Sequence, residues 1–338
     1  MIGFLISAIK IIFLLGFLIF IHELGHFTVA RLCKVRVNEF AIGFGPTIWK
    51  KQGKQTKYAL RLIPLGGFVS MEGEEQRSEE EGSFSKASIP KRIAIVAAGA
   101  IVNIIFALVV YFVLTLSSGT YVSNVVNTTI EGYPAQEIGI QSGDKIVEVN
   151  EQKISNLYDL NEALQEKTGE ITIKVERNGE IIEYKTSPKE VTEQGYTTYY
   201  LGVNLKPAED TFINRCINGV ISTKDFLFSI VDNLKQIFTG NVGVDQMVGP
   251  VGISEVVSKT EGIREFIYML ALISISLGVT NLLPIPALDG GKILILIIEA
   301  IRRKPLKEEL EIKIQLLGFS ILIALSLYVT YNDIIRIF

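Results

Sequence analysis

Cysteine and histidine are nearly absent from this sequence, which contains two residues of each in a chain of 338. With no third histidine, an all-histidine metal site is excluded. Neither sign of charge is in large excess, since 33 Lys and Arg residues face 36 Asp and Glu residues. A net charge of −3 gives no basic footprint, so we expect no nucleic-acid partner. The sequence also lacks internal repeats, a phosphate-binding loop and a nucleophilic serine motif.

The apolar residues of the chain are clustered, although the mean hydropathy of +0.36 is only mildly high. Four segments are long and apolar enough to span a bilayer, and a polar stretch with alternating hydrophobicity separates the second from the third. We therefore predict a polytopic α-helical membrane protein with about four transmembrane helices and an inserted α+β domain. The predicted segments are a first transmembrane helix at 1–30, a loop region at 31–90, a second transmembrane helix at 91–116, a soluble domain at 117–207, an amphipathic segment at 208–262, a third, broken transmembrane helix at 263–300, a loop at 301–313 and a fourth transmembrane helix at 314–338.

The first apolar run occupies the position of a signal peptide but differs from one in sequence. It lacks a basic n-region, it is too long, and no small-residue cleavage pattern follows it. Cleavage would also remove both histidines. We expect a retained transmembrane helix.

Both histidines lie in this first apolar run, in the sequence His22-Glu23-Leu24-Gly25-His26. On a helix, residues i and i+4 share one face, so both imidazoles can bind one metal ion. Glu23 would lie beside that ion, where a carboxylate can act as general base. Ionisable residues inside a membrane are costly and mark functional sites. The pattern predicts a hydrolytic metal site in the membrane, with His22 and His26 as ligands and Glu23 as the catalytic residue.

A catalytic zinc site takes three protein ligands and leaves one position for water. In this chain the third ligand must be a carboxylate or a cysteine. The best candidate is Asp289, which follows Pro284 and Pro286 in an apolar segment where the prolines break the helix. Irregular backbone at membrane depth is tolerated only where it faces protein or a wet cavity. The alternative is an ordinary turn at the cytoplasmic surface.

Positive charge predicts the orientation of the chain, because loops rich in Lys and Arg stay in the cytoplasm. The basic loops fall on one side of the membrane if the N-terminus and the soluble domain are outside. Cys33 and Cys216 then lie on opposite sides, so we expect no disulfide. At about 1.5 Å per residue, His22 lies about 18 Å beyond Lys10, which places the site in the cytoplasmic half of the bilayer.

The histidine motif, together with residues 281–291, resembles the site-2 protease family of intramembrane zinc metalloproteases. The likeness is strongest to its bacterial RseP/RasP-type branch, which cleaves membrane-spanning anti-sigma factors, and it extends over nearly the whole chain. Residues 44–49 and 63–69 resemble the membrane-associated β loop of that family. Residues 97–103 and 248–253 resemble the start of its second helix and the element before its third. Together, the order and spacing of these motifs are specific.

The resemblance implies that His22, His26 and Asp289 bind Zn²⁺ and that Glu23 is the general base. It implies substrates that are single-pass membrane proteins in the lipid bilayer of a bacterial plasma membrane, such as anti-sigma factors, cell-division proteins or remnant signal peptides. Lys292 departs from the family, which commonly has histidine there. The residues expected to bind substrate are Asn281, Pro284, Pro286, Gly66 and Gly67.

The soluble domain resembles a bacterial PDZ domain at residues 133–140, 143–150 and 200–203. PDZ domains bind an extended peptide or a C-terminus by adding a strand to a sheet edge. Here the domain would either bind such a ligand or act as a spacer or size filter, and fold alone does not decide between these roles. The chain has room for one such domain, whereas Escherichia-type members of the family carry two.

The segment after the soluble domain has apolar residues at helical spacing between Phe212 and Phe238. This spacing predicts an amphipathic helix. The helix would lie on the outer leaflet or pack on the soluble domain, and the sequence leaves both arrangements open.

Two other functions would use the same features. A non-proteolytic membrane scaffold would act through its PDZ domain, and a Glu23→Gln substitution would then be silent. A metal transporter would need a polar path through several helices, and the second predicted helix offers little beyond Asn103. Because Glu23 lies beside the histidines, the sequence favours proteolysis.

Overall fold

The computed structural model describes residues 2–74, 76–117, 122–165, 169–193, 196–207, 210–239 and 248–337. Residues 1, 208 and 338, which end predicted segments, lie outside this part of the chain. The first of two compact units comprises Met1–Leu114 and Ile221–Phe338, and the second comprises Thr115–Val220. The helices are α1 (Ile2–Leu32), α2 (Ile89–Leu116), α3 (Pro134–Glu137), α4 (Leu157–Gln165), α5 (Phe212–Phe238), α6 (Pro250–Ser258), α7 (Ile263–Asn281), α8 (Asp289–Arg302) and α9 (Glu308–Ile337). The strands are β1 (Val37–Gln52), β2 (Lys57–Met71), β3 (Val122–Thr129), β4 (Lys145–Val149), β5 (Gln152–Lys153), β6 (Ile171–Arg177), β7 (Glu180–Thr186), β8 (Lys189–Glu193), β9 (Tyr196–Tyr200) and β10 (Val203–Pro207).

The described residues include four helices long and apolar enough to cross a membrane, at Leu5–Leu32, Ile89–Leu116, Ile263–Asn281 and Glu308–Arg336. Helices suit the bilayer because each satisfies its own backbone hydrogen bonds. With the β-sheets, these spans agree with the predicted membrane protein of mixed α and β structure. The predicted third span, 263–300, consists of two helices, because the proline-containing segment separates α7 from α8.

The first two strands form an antiparallel hairpin that folds back on itself. Residues 57–60 pair on one side with residues 49–52 and on the other with residues 39–42. Residues 39–42 also pair with residues 67–70. The start of β1 therefore lies between two stretches of β2, and residues 67–70 form an outer strand. Within the described part of the chain, no further strand pairs with that outer edge.

α5 packs through Phe226 on two of the helices that are long and apolar enough to span a membrane. The Phe226 ring stacks on Tyr111 of α2, with centroids 4.2 Å apart and an interplanar angle of 5°. Its other neighbours include Ala271 and Ile275 of α7, with which it forms a small buried cluster. Of the two arrangements left open by the sequence, neither included this contact with α2 and α7.

The second unit contains a six-stranded sheet in the order β10-β3-β4-β6-β7, with β5 paired to β4. β8 and β9 form a separate antiparallel hairpin. The core of this unit is built from alternating residues of the strands and from one face of α4, including Ile146, Ile173 and Leu160. Asp144 is buried beside Arg177, with Nε and Oδ1 separated by 2.6 Å. Hydrogen bonds from Arg177 hold the pKa of Asp144 below its ordinary value.

Asp333, near the end of α9, caps the first turn of α6. Its Oδ1 accepts a hydrogen bond from the Gly249 N–H at 3.1 Å, and its Oδ2 accepts one from the Gly252 N–H at 2.8 Å. The first N–H groups of a helix have no partner within the helix, and Gly249, at the N-cap position, has no side chain to satisfy them. The Asp333 side chain, 1% exposed, supplies these acceptors from a distant helix.

We expect Asp333→Ala to lower the free energy of unfolding by about 2 kcal/mol, because two buried N–H groups lose their acceptor. Asp333→Asn should cost less, since an amide oxygen can still accept one of the two bonds. A denaturant titration of the purified protein in detergent measures both values. Asp232→Ala, which removes an exposed acid of α5, should change stability by less than about 0.5 kcal/mol. Equal effects of the Asp333→Ala and Asp232→Ala substitutions would contradict the capping role.

Candidate metal centre

The structure brings together the three residues predicted to bind the metal ion. Nε2 of His22 lies 3.1 Å from Nε2 of His26. Oδ2 of Asp289 lies 3.2 Å from the first of these nitrogens and 3.6 Å from the second. The side chains are largely buried, with 12% exposure for each imidazole and 21% for the carboxylate. The three donor atoms of this compact set thus come from two helices that are far apart in sequence, α1 and α8.

The geometry of this donor set fits a zinc ion. Zinc bonds to histidine nitrogen and carboxylate oxygen are about 2.0–2.1 Å long, so neighbouring donors of a tetrahedral site are separated by about 3.3 Å. The three measured separations, 3.1, 3.2 and 3.6 Å, are close to that value. Two imidazoles and one carboxylate are also a common ligand set of catalytic zinc sites, which keep a fourth position for water.

Close packing of α1 on α2 makes room for the two imidazoles. A Cβ atom at Gly99 of α2 would overlap Nε2 of His26 and would lie 2.8 Å from Nε2 of His22. A Cβ atom at Gly25 of α1 would lie 2.5 Å from the carbonyl oxygen of Ala98. Glycine is therefore required on both helices where they cross, and the backbone at Gly99 lies directly against the two imidazoles.

Each imidazole has a partner for its second ring nitrogen. Nδ1 of His26 lies 2.9 Å from the carbonyl oxygen of Ile95, so this nitrogen carries the proton and donates it. Nδ1 of His22 lies 3.5 Å from the amide nitrogen, Nδ2, of Asn103. The amide oxygen of Asn103 accepts no hydrogen bond from the described residues. Rotating the carboxamide by 180° exchanges the two atoms, and the oxygen can then accept a hydrogen bond from Nδ1 of His22. Both rings can then keep Nε2 unprotonated and directed at the metal site.

Asn103 is a residue next to the candidate ligands that the sequence analysis did not assign to the site. It is fully buried in α2. The only signal in the sequence was a polar side chain inside an apolar span, which marks functional positions in membrane helices. Its partner could not be identified without the packing of α2 on α1.

We expect Asn103→Ala to weaken zinc binding about 10- to 100-fold, which is the usual cost of losing a residue that orients a metal-bound histidine. Competition with a chelator of known affinity measures this change in the purified protein. Asn204→Ala is the matched control, because Asn204 lies on an exposed strand of the second unit and should leave zinc affinity unchanged. Equal affinities for the Asn103→Ala variant and the unchanged protein would show that Asn103 does not orient His22.

The side chain of Glu23, on α1, packs against the outer strand of the hairpin. A Cβ atom on Gly67 would lie 3.1 Å from Cγ of Glu23 and 3.0 Å from the carbonyl oxygen of Ala41. Glycine therefore allows the strand to approach the Glu23 side chain closely. Gly66 has a φ of +126°, and the Phe44 ring fills the space where a side chain would lie. The structure thus places both predicted glycines on the strand next to Glu23.

The predicted residues around Asp289 lie at the break between two helices. α7 ends at Asn281, and α8 begins at Asp289, with Leu288 as its N-cap. Pro284 and Pro286 fall between the two helices, and the chain turns at Ala287, which has a φ of +74°. A turn in this left-handed region is costly for alanine. The break delivers the Asp289 carboxylate to the first turn of α8, opposite the histidines.

Ion pairs fix α8 against its neighbours. Glu299 of α8 is 3% exposed and lies 3.1 Å from Nη1 of Arg92 of α2. The Glu299 carboxylate also accepts a hydrogen bond from the Leu306 N–H at 2.8 Å. Lys292 pairs with Glu74, in the segment after β2, at 2.7 Å. A helix held at several points can keep Asp289 in place for metal binding.

A model of peptidase family M50 matches residues 10–325 of the chain. The chain belongs to this family. The zinc metalloprotease RasP of Geobacillus kaustophilus is 29% identical over 98% of each chain. The regulator of sigma-W protease RasP of Bacillus subtilis is 31% identical, covering 99% of this chain and all of the relative. A Clostridium acetobutylicum protein, also named as a zinc metalloprotease, is 35% identical over 95% of each chain. The resemblance to the site-2 protease family, which is family M50, is confirmed.

Proposed function

We propose that this chain hydrolyses peptide bonds inside the transmembrane segments of other membrane proteins, with Zn²⁺ held by His22, His26 and Asp289. The M50 match and the zinc metalloprotease names of the relatives confirm the predicted enzyme class and its metal. The observation that best supports the assigned ligands is the triangle of donor atoms, with sides of 3.1, 3.2 and 3.6 Å. α1, which carries two of them, is long and apolar enough to span the bilayer.

The chemistry is divided between the metal and the side chains around it. Bound Zn²⁺ supplies Lewis acidity, which polarises a peptide carbonyl and acidifies water. Glu23 would take a proton from the attacking water and return it to the leaving amine. Asn103 and the Ile95 carbonyl would hold the two imidazoles in the tautomer that leaves Nε2 free. The partial burial of the site would keep these charges effective, because the surroundings have a low dielectric constant.

The substrate must unwind before it can react, because helical hydrogen bonds shield each peptide group. We propose that the outer strand at residues 67–70 receives the unwound segment by strand addition. Gly66 and Gly67 would let that segment approach Glu23. Asn281 would hold its backbone from the opposite side, and Pro284 and Pro286 would keep the break in the helix open.

We propose a bacterial plasma-membrane location, with the N-terminus and the second unit outside the cell. The support is the distribution of Lys and Arg, which cluster after α1, at the start of α2 and between α8 and α9. Loops rich in these residues stay in the cytoplasm. The second unit would be a PDZ domain, an assignment supported by its sequence motifs and compatible with its antiparallel sheet. It would either bind a peptide or C-terminus or limit the size of the substrate's outer part.

The substrate class is proposed from the kind of protein that such a site can take. The B. subtilis relative carries the name regulator of sigma-W protease. For this chain we propose single-pass regulators such as anti-sigma factors, or remnant signal peptides. Both present one transmembrane helix that could reach a site within the bilayer.

A cleavage assay with two matched substrates tests this proposal. Both are single-pass proteins, one with helix-weakening Gly and Asn residues in its transmembrane segment and the other with that segment filled with leucine. We expect the zinc-loaded, reconstituted protein to cut only the first, and mass spectrometry to place the cut inside the segment. Cuts confined to the soluble parts, or equal cutting of both substrates, would refute intramembrane cleavage by unwinding. Failure to cut either substrate would favour the scaffold function.

A further inference from the structure

A cavity lies at the end of α1, apart from the metal centre. Its volume is about 670 Å³, and Cys33 and the buried Val35 form part of its wall. Cys33 is about 10 Å along the helix from His26, at 1.5 Å per residue. The charged groups that line the cavity are Arg31, Lys34, Arg36, Lys86, Lys91 and Glu81.

The charge of this cavity is positive even after its ion pairs are taken into account. Arg36 pairs with Glu80 at 2.7 Å, and Lys86 pairs with Glu79 at 3.2 Å. Among the residues that the structure describes, Arg31 donates only to the neutral amide of Gln55. Within the described residues, Lys34 and Lys91 form no ion pair. Three cations thus face one unpaired carboxylate, that of Glu81.

The cavity lies at the ends of two helices that are long and apolar enough to span a bilayer, a position that corresponds to the lipid headgroups. The apolar stretch of α1 ends at Leu32, and that of α2 begins at Ile89. Arg31, Lys34 and Arg36 lie within four residues of the first boundary, and Lys86 and Lys91 lie within three residues of the second. The amino terminus of α2 adds the partial positive charge of its free N–H groups. These cations are exposed, but they surround a concave space, so one bound anion can contact several of them.

We propose that this cavity binds the phosphate-bearing headgroup of an anionic phospholipid. Basic pockets between transmembrane helices are suited to such headgroups. A soluble anion would gain only the charge interactions, whereas a lipid is already concentrated at this level, with its acyl chains beside the apolar helices. The headgroup would also hold the start of β1, because β1 begins at Val37, directly after Arg36 of the cavity.

The reactivity of Cys33 provides a test that does not depend on proteolysis. The chain has two cysteines, so a Cys216→Ser background leaves one thiol, and this thiol lines the cavity. The protein is reconstituted in vesicles of phosphatidylcholine or of an equimolar mixture with phosphatidylglycerol. The rate of modification by N-ethylmaleimide, which is uncharged and crosses membranes, is then measured in both. We expect Cys33 to react several-fold more slowly with phosphatidylglycerol present, because the headgroup covers it.

Two double variants separate a bound headgroup from a general effect of surface charge. Lys34→Gln with Lys91→Gln should weaken headgroup binding about 25-fold, at about fivefold per cation, and should abolish the difference between the two lipids. Lys50→Gln with Lys51→Gln removes the same charge from exposed positions of the hairpin and should preserve the difference. A lipid effect that survives in the first variant, or no lipid effect in the background protein, would overturn the proposal. Soluble glycerol phosphate is also added to the protein in phosphatidylcholine vesicles. If it slows the modification of Cys33 as much as phosphatidylglycerol does, the cavity binds a soluble phosphate ester, and the lipid proposal is overturned.

Discussion

Glu23→Gln is expected to lower the rate of peptide cleavage at least about 10³-fold while leaving the zinc content unchanged. The substitution preserves the shape of the side chain but removes the basic oxygen, and general acid–base groups typically contribute 10²- to 10⁴-fold in rate. The three metal ligands are untouched, so the donor triangle of 3.1, 3.2 and 3.6 Å should persist. Single-turnover cleavage of a single-pass substrate in detergent measures the rate, and mass spectrometry of the purified protein measures zinc.

Glu309→Gln is the matched control for this prediction. It makes the same chemical change at an exposed position of α9 and should leave both rate and zinc content as they were. A Glu23→Gln variant that retains more than about a tenth of the activity would exclude Glu23 as the general base. A variant that loses its zinc would instead indicate that the Glu23 carboxylate contributes to metal binding.

Asp289→Ala is expected to abolish both zinc binding and cleavage. Two imidazoles would remain, fewer than the three protein ligands that catalytic zinc sites use. Zinc affinity should fall by more than the 10- to 100-fold expected for Asn103→Ala, because a direct ligand is lost instead of its orienting partner. His22→Ala should have the same effect as Asp289→Ala. Chelator competition gives the zinc affinity of each variant. The ranking of these affinities tests which residues bind the metal directly.

Protein folding must be separated from metal loss in this experiment. The metal-free forms of the Asp289→Ala variant and the unchanged protein should show the same helical circular dichroism. Added zinc should raise the melting temperature of the unchanged protein and not that of the variant, since only a bound ion stabilises the fold. Stoichiometric zinc in the Asp289→Ala variant would assign the third ligand position to another residue.

Much of this fold could be predicted from local sequence. An apolar stretch must form a helix in a bilayer, because only a helix satisfies the backbone of a single segment there. The described spans therefore fall where hydropathy predicts them, and the two prolines mark the break before Asp289. The predicted soluble domain corresponds to an antiparallel sheet for the same local reason, since its apolar residues alternate.

Contacts between distant segments could not be predicted in this way. The hairpin fold-back, the Phe226 stack on Tyr111 and the capping of α6 by Asp333 depend on which elements pack together. None of these contacts leaves a periodic pattern in the sequence. Asn103 is a polar residue within the apolar stretch of α2, and Asp333 is a buried acid near the end of α9. Such residues indicate that a partner is needed without identifying it.

The sequence by itself determined the chemistry of the site. His22 and His26 are four residues apart, so their shared face follows from helix geometry alone, and Glu23 is the next residue after His22. The tertiary structure decided the arrangement of the remaining parts. It brought Asp289 to within 3.2 Å of His22, placed Asn103 behind that ring, and laid the Gly67 strand against Glu23. The physical reason is that close packing between helices, here permitted by Gly25 and Gly99, acts over distances in the chain that local patterns do not reach.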